Sequence, residues 1–527
     1  MKSKILYLFA ALMLFFITSC SDNLLNVPNP NALTDENFWK TPDDAEKGLV
    51  AVYNMLYRQG TWTRNNFTQL DGMADDAISY AGWTELAEWS RFIMTDYNFN
   101  EVNQKIWYQH YQGVFRANQV IKNVDQIVFK DAEQKKKVVA QAKFMRAFFH
   151  FYLYIYYGNI PYITEPSTVE AKPMQLTEDQ VLTLCAQDFK DAANDLPETW
   201  QTNQLGRATK GAALAYLGKV YMQQHKWQDA KDALIWLVEG AGANNYQLVS
   251  NYRDNVTAYN EFNSEYVMEI NFSEILKTGF DVDYDANSNL GTQFGMNNAP
   301  KGLGWNNVEL SRWLVDYYLR EKTTDGKNDV RLYYNCWYNN SKLDFPDMPE
   351  ALIYGTTWES QSTAQAWGNR VFPRLYTEDL SKPSDLFYWD DINYRLIRYA
   401  DVKLCYAEVL NELAGTPPPL AVQLVNDVRA RVNLPALGSS TYTEYNSAIS
   451  SKEAFREHLK IERGLELPFQ GIRWMDLKRW GFDATNLAAL KLRDPDFNNF
   501  IPGKSERMPI PQTDVDNNPN LKQNPNY

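Results

Sequence analysis

Between 211 and 239 the chain reads "GAALAYLGKVYMQQHKWQDAKDALIWLVE", and this stretch restricts the fold more than any other. Apolar residues recur at helical spacing on both sides of a short polar break, which predicts two helices folded back on each other. Leu214, Leu217, Gly218 and Tyr221 fall on one face of the first helix, and Ala230, Leu234 and Leu237 on one face of the second. Gly218 and Ala230 are small where two helices must approach closely, and Tyr221 fills the space between them. This is tetratricopeptide spacing. A looser second case spans 398–434, "RYADVKLCYAEVLNELAG" followed by "PLAVQLVNDVRARVNL", with Ala407 and Ala421 as the small contacts.

Long helical patterns also recur around 101–128, 134–157, 177–195, 396–413, 418–432 and 451–467. Near the start, Thr41-Pro42-Asp43-Asp44 supplies an N-cap, a proline at the first helical position and acids in the first turn. Between 246 and 395 the character changes. Short β-like runs such as "EYVMEINF" alternate with Gly, Asn, Asp and Pro, and Trp305, Trp313, Trp337, Trp358, Trp367 and Trp389 are scattered among them. A second irregular stretch, about 59–100, holds Trp62, Trp83 and Trp89. Long irregular segments within a helical protein are where function concentrates. The expected fold is mainly α, with tetratricopeptide-like helical hairpins packed against a loop-rich region that carries minor short β segments. One globular unit over 41–527 is expected, its helical frame at 41–245 and 396–480 and its variable loop-rich region at 246–395.

The N-terminus carries Lys2 and Lys4, then the apolar run "ILYLFAALMLFFI", then Cys20. The run is short of the roughly 20 residues that span a bilayer and reads as a signal peptide over 1–19. Ile17-Thr18-Ser19-Cys20 looks like a bacterial lipobox, in which the cysteine is lipidated. Acyl chains contribute about 0.8 kcal/mol per buried methylene, so two or three of them hold a protein on a membrane surface without a spanning helix. Residues 20–40 would then form a lipidated N-terminus and tether, with the remainder outside the cytoplasm.

A net charge of -13, with no basic run longer than that in "EQKKK", argues against nucleic acid as a partner. No HExxH, GxSxG or P-loop motif is present, and "KGLGWNN" lacks the third glycine of a dinucleotide site. His110, His150, His225 and His458 lie on separate helical patterns. Cys185 and Cys405 sit in apolar helices as small hydrophobes, and with Cys336 they make neither a CxxC pair nor a disulfide framework. Asp75-Asp76, Asp390-Asp391 and Asp494/Asp496 are the carboxylate pairs that glycoside hydrolysis would need. "DVDYDANSN" places Asp281, Asp283 and Asp285 at alternate positions, as in a calcium loop. Ala286 stands where the turn-making glycine belongs and Thr292 where the bidentate Glu belongs, so the segment reads as a polar loop with calcium as the alternative. No other metal and no cofactor is implied.

In "IERGLELPFQGIRWMDLKRW", 461–480, helical spacing lets Glu462, Arg463, Glu466 and Arg473 form hydrogen-bonded ion pairs. Leu465, Leu467, Phe469, Trp474 and Trp480 then face a core. The segment resembles the C-terminal signature of the SusD/RagB family, the surface glycan-binding lipoproteins of Bacteroidetes. "LTDENFWKTPDDAEKGLVAVYNML", "RYADVKLCYAEVLNEL" with "VNDVRARVNLP", and the terminal "MPIPQTDVDNNPNLKQNPNY" agree with that resemblance. One departure is Gln470, where the family usually has Glu before the glycine.

The resemblance implies a non-enzymatic capture protein seated over a SusC-like TonB-dependent outer-membrane transporter, lipid-anchored and facing the cell exterior. It also implies an aromatic ligand platform drawn from the stretches around Trp83 and around Tyr284 to Trp305. Sugar rings lie with their C–H faces on indole or phenol rings, while their hydroxyls need flanking donors and acceptors. The candidate glycan-binding residues are therefore Trp83, Trp305, Tyr284, Trp89 and Trp62, with Asp71, Asn65 and Arg64 beside them. Other readings are peptide capture of the RagB type, a glycan-cleaving enzyme, and a repeat scaffold with only a protein partner.

Overall fold

The computed structural model describes residues 38–79, 84–94, 100–168, 170–277, 289–381, 390–440 and 442–527. The signal peptide, Cys20 and most of the tether lie outside these. Helix α1 (Pro42–Tyr53) starts as its sequence predicts. Thr41 Oγ1 accepts the Asp44 N–H at 3.2 Å, and the Asp44 carboxylate accepts the Thr41 N–H at 2.9 Å. That reciprocal cap satisfies donors the helix leaves open. A π-turn over Gln59–Thr63 leads into α2 (Asn65–Gly72).

Helices α3 (Glu101–Asn123), α4 (Ala132–Tyr157), α5 (Glu178–Asp195), α6 (Lys210–Gln223) and α7 (Trp227–Val238) each pack on the next. Short connections, 124–131 and 224–226, make α3–α4 and α6–α7 helical hairpins. At the α6–α7 crossing, a Cβ on Gly218 would lie 2.6 Å from Leu234 Cδ2, so the glycine sets how closely the pair approaches. Phe144, Phe148, Phe149, Phe151 and Tyr152 of α4 are all buried, which places its C-terminal half at the centre of this layer.

The loop-rich half holds short antiparallel strands. Strands β1 (Ala77–Ile78), β3 (Glu309–Leu310), β5 (Val371–Pro373) and β4 (Cys336–Tyr338) form a sheet in the order β1-β3-β5-β4. Strand β2 (Tyr266–Ile270) pairs separately with β6 (Tyr394–Arg398). Because β1 belongs to the N-terminal stretch, the sheet ties the two halves together. A short helix, α8 (Phe294–Asn298), lies between β2 and β3 in sequence.

The tryptophans of this half build a core. Trp337, Trp358 and Trp367 are buried, with ring centroids 5.2 to 5.4 Å apart, and Phe372 packs against two of them. Trp313 is buried as well, its indole over Gly464, where a Cβ would lie 2.8 Å from Trp313 Cη2. An irregular lobe has few long apolar faces, and large rings close its interior instead. Trp389 lies outside the described residues.

Helices α9 (Tyr399–Leu413), α10 (Pro419–Arg431), α11 (Lys452–Glu466) and α12 (Arg473–Trp480) complete the frame. Glu462, Arg463, Glu466 and Arg473 of the 461–480 signature are buried and ion-paired, with partners that are not one another. Glu466 receives Arg331 at 3.2 Å, Arg398 at 2.9 Å and also Arg431, while Glu462 receives Arg331 at 2.8 Å and Arg429 at 3.3 Å. Arg463 binds Asp476 at 2.7 Å and Asp401 at 2.9 Å. Gln470 accepts from Arg398 Nε at 3.0 Å, so a neutral amide completes the shell around that guanidinium. Cys185, Cys336 and Cys405 are buried. Among the described residues no helix is long and apolar enough to cross a membrane.

Candidate functional site

The π-turn before α2 exists because Gly60 presses against α3: a Cβ there would lie 2.3 Å from the Lys105 carbonyl oxygen. The Gly60 N–H donates to Gln109 Oε1 at 2.6 Å, and Thr61 leaves helical geometry at φ -114, ψ -130. Such a turn re-aims the residues that follow it, and π-turns recur at functional sites. Here it delivers Arg64.

From the other side, the 300–304 turn delivers Trp305. The Leu303 and Gly304 N–H groups donate to the Pro300 carbonyl at 2.9 Å, and the Trp305 N–H donates to Met296 of α8 at 2.8 Å. Gly302 supplies the left-handed turn at φ 93. Arg64 Cζ then lies 5.1 Å from the centroid of the Trp305 ring, a cation–π contact. Both residues are half-buried. Burial, opposed by the Glu101 charge, lowers Arg64 to about 10, and the guanidinium stays protonated at neutral pH. The pair joins an apolar indole to a fork of N–H donors. Beside it, Asn306 donates to Glu309 at 3.3 Å, and Glu309 also holds Arg370.

Of the eight expected platform residues, Arg64 and Trp305 come together. Trp83 and Tyr284 lie outside the described residues, as do Asp281, Asp283 and Asp285 of the calcium-like loop. The expectation for Trp62 is corrected: it is 1% exposed, 4.9 Å from Phe148 and 4.8 Å from Tyr152, and belongs to the helical core. Trp89 is likewise buried, at 3% exposure. Asn65 and Asp71 are sealed as well, at 2% and 0%. An alternation of polar and aromatic residues looks the same in sequence whether the rings point inward or outward.

The acids of 71–76 do a job that sequence reading did not foresee. Asp71 Oδ1 accepts the Gly471 N–H at 2.7 Å and Asp76 Oδ2 accepts the Phe469 N–H at 3.1 Å. They hold a signature turn in which Phe469 (φ 57) and Gly471 (φ 66) are both left-handed. Asp75 takes Arg473 at 2.6 Å and Arg493 at 3.0 Å. Burial opposes ionisation of Asp75, but those two guanidinium groups outweigh it and hold the carboxyl at about 2. Burial and then the Asp75 charge push Asp76 up to about 7. The signal was present in the three acids of "DGMADD" and the basic residues of the signature, although nothing local links them.

Asp390 and Asp494 of the other carboxylate pairs accept backbone N–H groups. The Asp390 side chain accepts the Gly295 N–H at 3.3 Å, and Asp494 accepts the Asp496 N–H at 2.9 Å. Three histidines meet backbone carbonyls, His110 that of Ile106 at 2.7 Å, His150 that of Arg146 at 2.9 Å and His225 that of Arg479 at 2.9 Å, while His458 lies 3.6 Å from the Glu462 carboxylate.

Helical hairpins carrying a loop-rich lobe, with an Arg–Trp face where the two meet, define a repeat-type scaffold that presents a surface. Two family models divide the chain: one described as "SusD family" matches residues 264–527, and one described as "Starch-binding associating with outer membrane" matches residues 25–222. The chain belongs to the SusD family. It is 24% identical to SusD-like protein P25 of Formosa agariphila, over 99% of this chain and 97% of that protein. A SusD superfamily protein from Bacteroides vulgatus superposes with a TM-score of 0.77 at 23% identity, covering 93% of this chain and all of that one, 100%. A laminarin-binding SusD-like protein superposes with a TM-score of 0.72 at 25% identity, covering 93% and 100%.

Proposed function

We propose that this protein captures oligosaccharide at the outer face of the outer membrane, held there by lipid on Cys20. It passes the ligand, uncleaved, to a SusC-like TonB-dependent transporter. The observation that carries this reading is the Arg64–Trp305 pair. In this reading the Trp305 ring stacks on a sugar and the Arg64 guanidinium donates to its hydroxyls, at the junction of two lobes. The laminarin-binding relative supports glycan as the ligand class, and a family description that names the outer membrane supports the location. Trp83 and Tyr284 extend the platform in this reading. A shallow face of this kind binds with about 4 to 7 kcal/mol, weak enough to release ligand to a transporter.

The test is native affinity electrophoresis of the chain from Ser21 onward against plant, host and fungal polysaccharides, laminarin among them. Retardation by a glycan, lost in Trp305→Ala, is the expected result. If no polysaccharide retards the protein while a peptide mixture gives heat in calorimetry, the cargo is peptide. Release of reducing sugar, abolished by changing one Asp or Glu, would make the protein an enzyme. Cys20→Ala should move the protein from the membrane to the soluble fraction, and a transporter subunit should copurify with the anchored form.

A further inference from the structure

A second aromatic pocket lies where the segment after α5 meets the approach to β2. It encloses about 220 Å³ and shares no lining residue with the Arg64–Trp305 face. Trp200, Tyr246, Phe262 and Tyr266 form its walls, each half-buried. Glu198 and Thr199 stand exposed at its rim.

The rings are held in place by contacts beyond the pocket and between its own walls. Trp200 Nε1 donates to the Ala208 carbonyl at 2.8 Å. Tyr246 stacks on Tyr399 with centroids 5.6 Å apart, and Phe262 meets Tyr266 edge-on at 5.2 Å. Asn245 Nδ2 donates to Glu198 Oε2 at 3.3 Å, which positions the carboxylate at the rim.

Phe262 is the unusual member. Its φ is 51, a left-handed conformation that strains a bulky residue. The strained backbone is fixed by its N–H, which donates to Glu269 Oε1 at 3.0 Å. Asn or Gly would fit that backbone with less strain. Unlike the loop tryptophans that close the core, the Phe262 ring stays half-buried beside an open pocket. Strain that presents a ring to solvent points to a ligand.

We propose that this pocket is a second saccharide subsite, taking a single pyranose ring with its C–H faces against Trp200 and Phe262 and its hydroxyls toward Glu198 and Thr199. At 220 Å³ the pocket is smaller than the roughly 300–1,000 Å³ of sites for drug-sized ligands, so it accommodates one ring and not an extended chain. The ligand class rests on the capture reading above, whereas the location does not. Two separated subsites on one molecule let a branched or long polysaccharide be held at two points, which raises avidity without new contacts at either.

The experiment compares wild type, Trp305→Ala, Phe262→Asn, Trp200→Ala and the Trp305→Ala/Phe262→Asn double variant of the chain from Ser21 onward. Each is run against the same polysaccharides, with a thermal melt recorded alongside. Phe262→Asn should keep or raise the melting temperature while lowering the affinity for the retarding glycan several-fold. The double variant should bind more weakly than Trp305→Ala alone. If Phe262→Asn and Trp200→Ala are both retarded like wild type while Trp305→Ala is not, this inference fails and the capture reading stands. If wild type is retarded by no polysaccharide, both fail.

Discussion

Arg398 and Glu466 meet through two hydrogen bonds, Nη1 to the carboxylate at 2.9 Å and Nη2 to the backbone carbonyl at 2.8 Å. Arg398 closes β6 and precedes α9, and Glu466 ends α11, so this contact fastens the β2–β6 ribbon to the signature helix. Arg331 of the loop-rich half and Arg431 of α10 converge on the same carboxylate.

Removing that carboxylate's charge leaves three buried guanidinium groups short of an acceptor. Glu466→Gln should cost roughly 3–5 kcal/mol, the usual effect of breaking a buried pair from one side. Chemical denaturation measures it. Arg398→Lys should also destabilise, because an ammonium cannot span the carboxylate and the carbonyl together.

Stability should fall steeply in acid. Burial opposes ionisation of Glu462, but Arg331 and Arg429 hold it at about 2, as Arg473 and Arg493 do for Asp75. A depressed folded pKa gives stability that is present above the ordinary carboxylate value and lost as pH falls from about 4 through 2. Each group contributes roughly 2–3 kcal/mol across that window. Asp76, pushed up to about 7, has the opposite sign. Its contribution declines as pH rises from about 4 through 7, so Asp76→Asn should flatten the neutral limb of a stability–pH curve.

Two tryptophans expected on one platform should separate cleanly. Trp62→Ala opens a core cavity and should cost about 3–5 kcal/mol. Trp305→Ala, half-exposed, should cost about 1 kcal/mol and abolish retardation by glycan. Circular dichroism melts beside affinity gels check both, and equal melts for the two variants would refute the assignment.

The α6–α7 crossing has no spare room. Gly218→Ala should cost roughly 1–3 kcal/mol by overpacking against Leu234. Leu234→Val in the same chain should return part of that, and a double-mutant cycle in urea reads the coupling.

The helical frame was legible because amphipathic period and caps are local properties. Thr41 and Asp44 are three residues apart, and Gly218 announces a close crossing from its own neighbourhood. The ion pairs of 461–480 could be anticipated as a class, from charged residues at helical spacing beside large apolar ones. Their partners could not: Gly471 and Asp71 are 400 residues apart, and Arg473 and Asp75 are 398. Asp71 therefore read as a ligand residue when its oxygen was committed to a distant turn. Trp62 and Trp305 look alike in sequence for a related reason, since whether a ring faces in or out depends on which element later covers it. In the loop-rich half no period exists to reveal that covering.

The Trp337–Trp358–Trp367 cluster should give the loop-rich lobe an optical signature of its own. Indoles whose centroids are 5.2 to 5.4 Å apart should share excitation, with paired circular-dichroism bands of opposite sign as the expected readout. That signal should vanish when the lobe comes apart. It gives an intrinsic probe of whether the lobe melts with the helical frame or ahead of it, with no label attached.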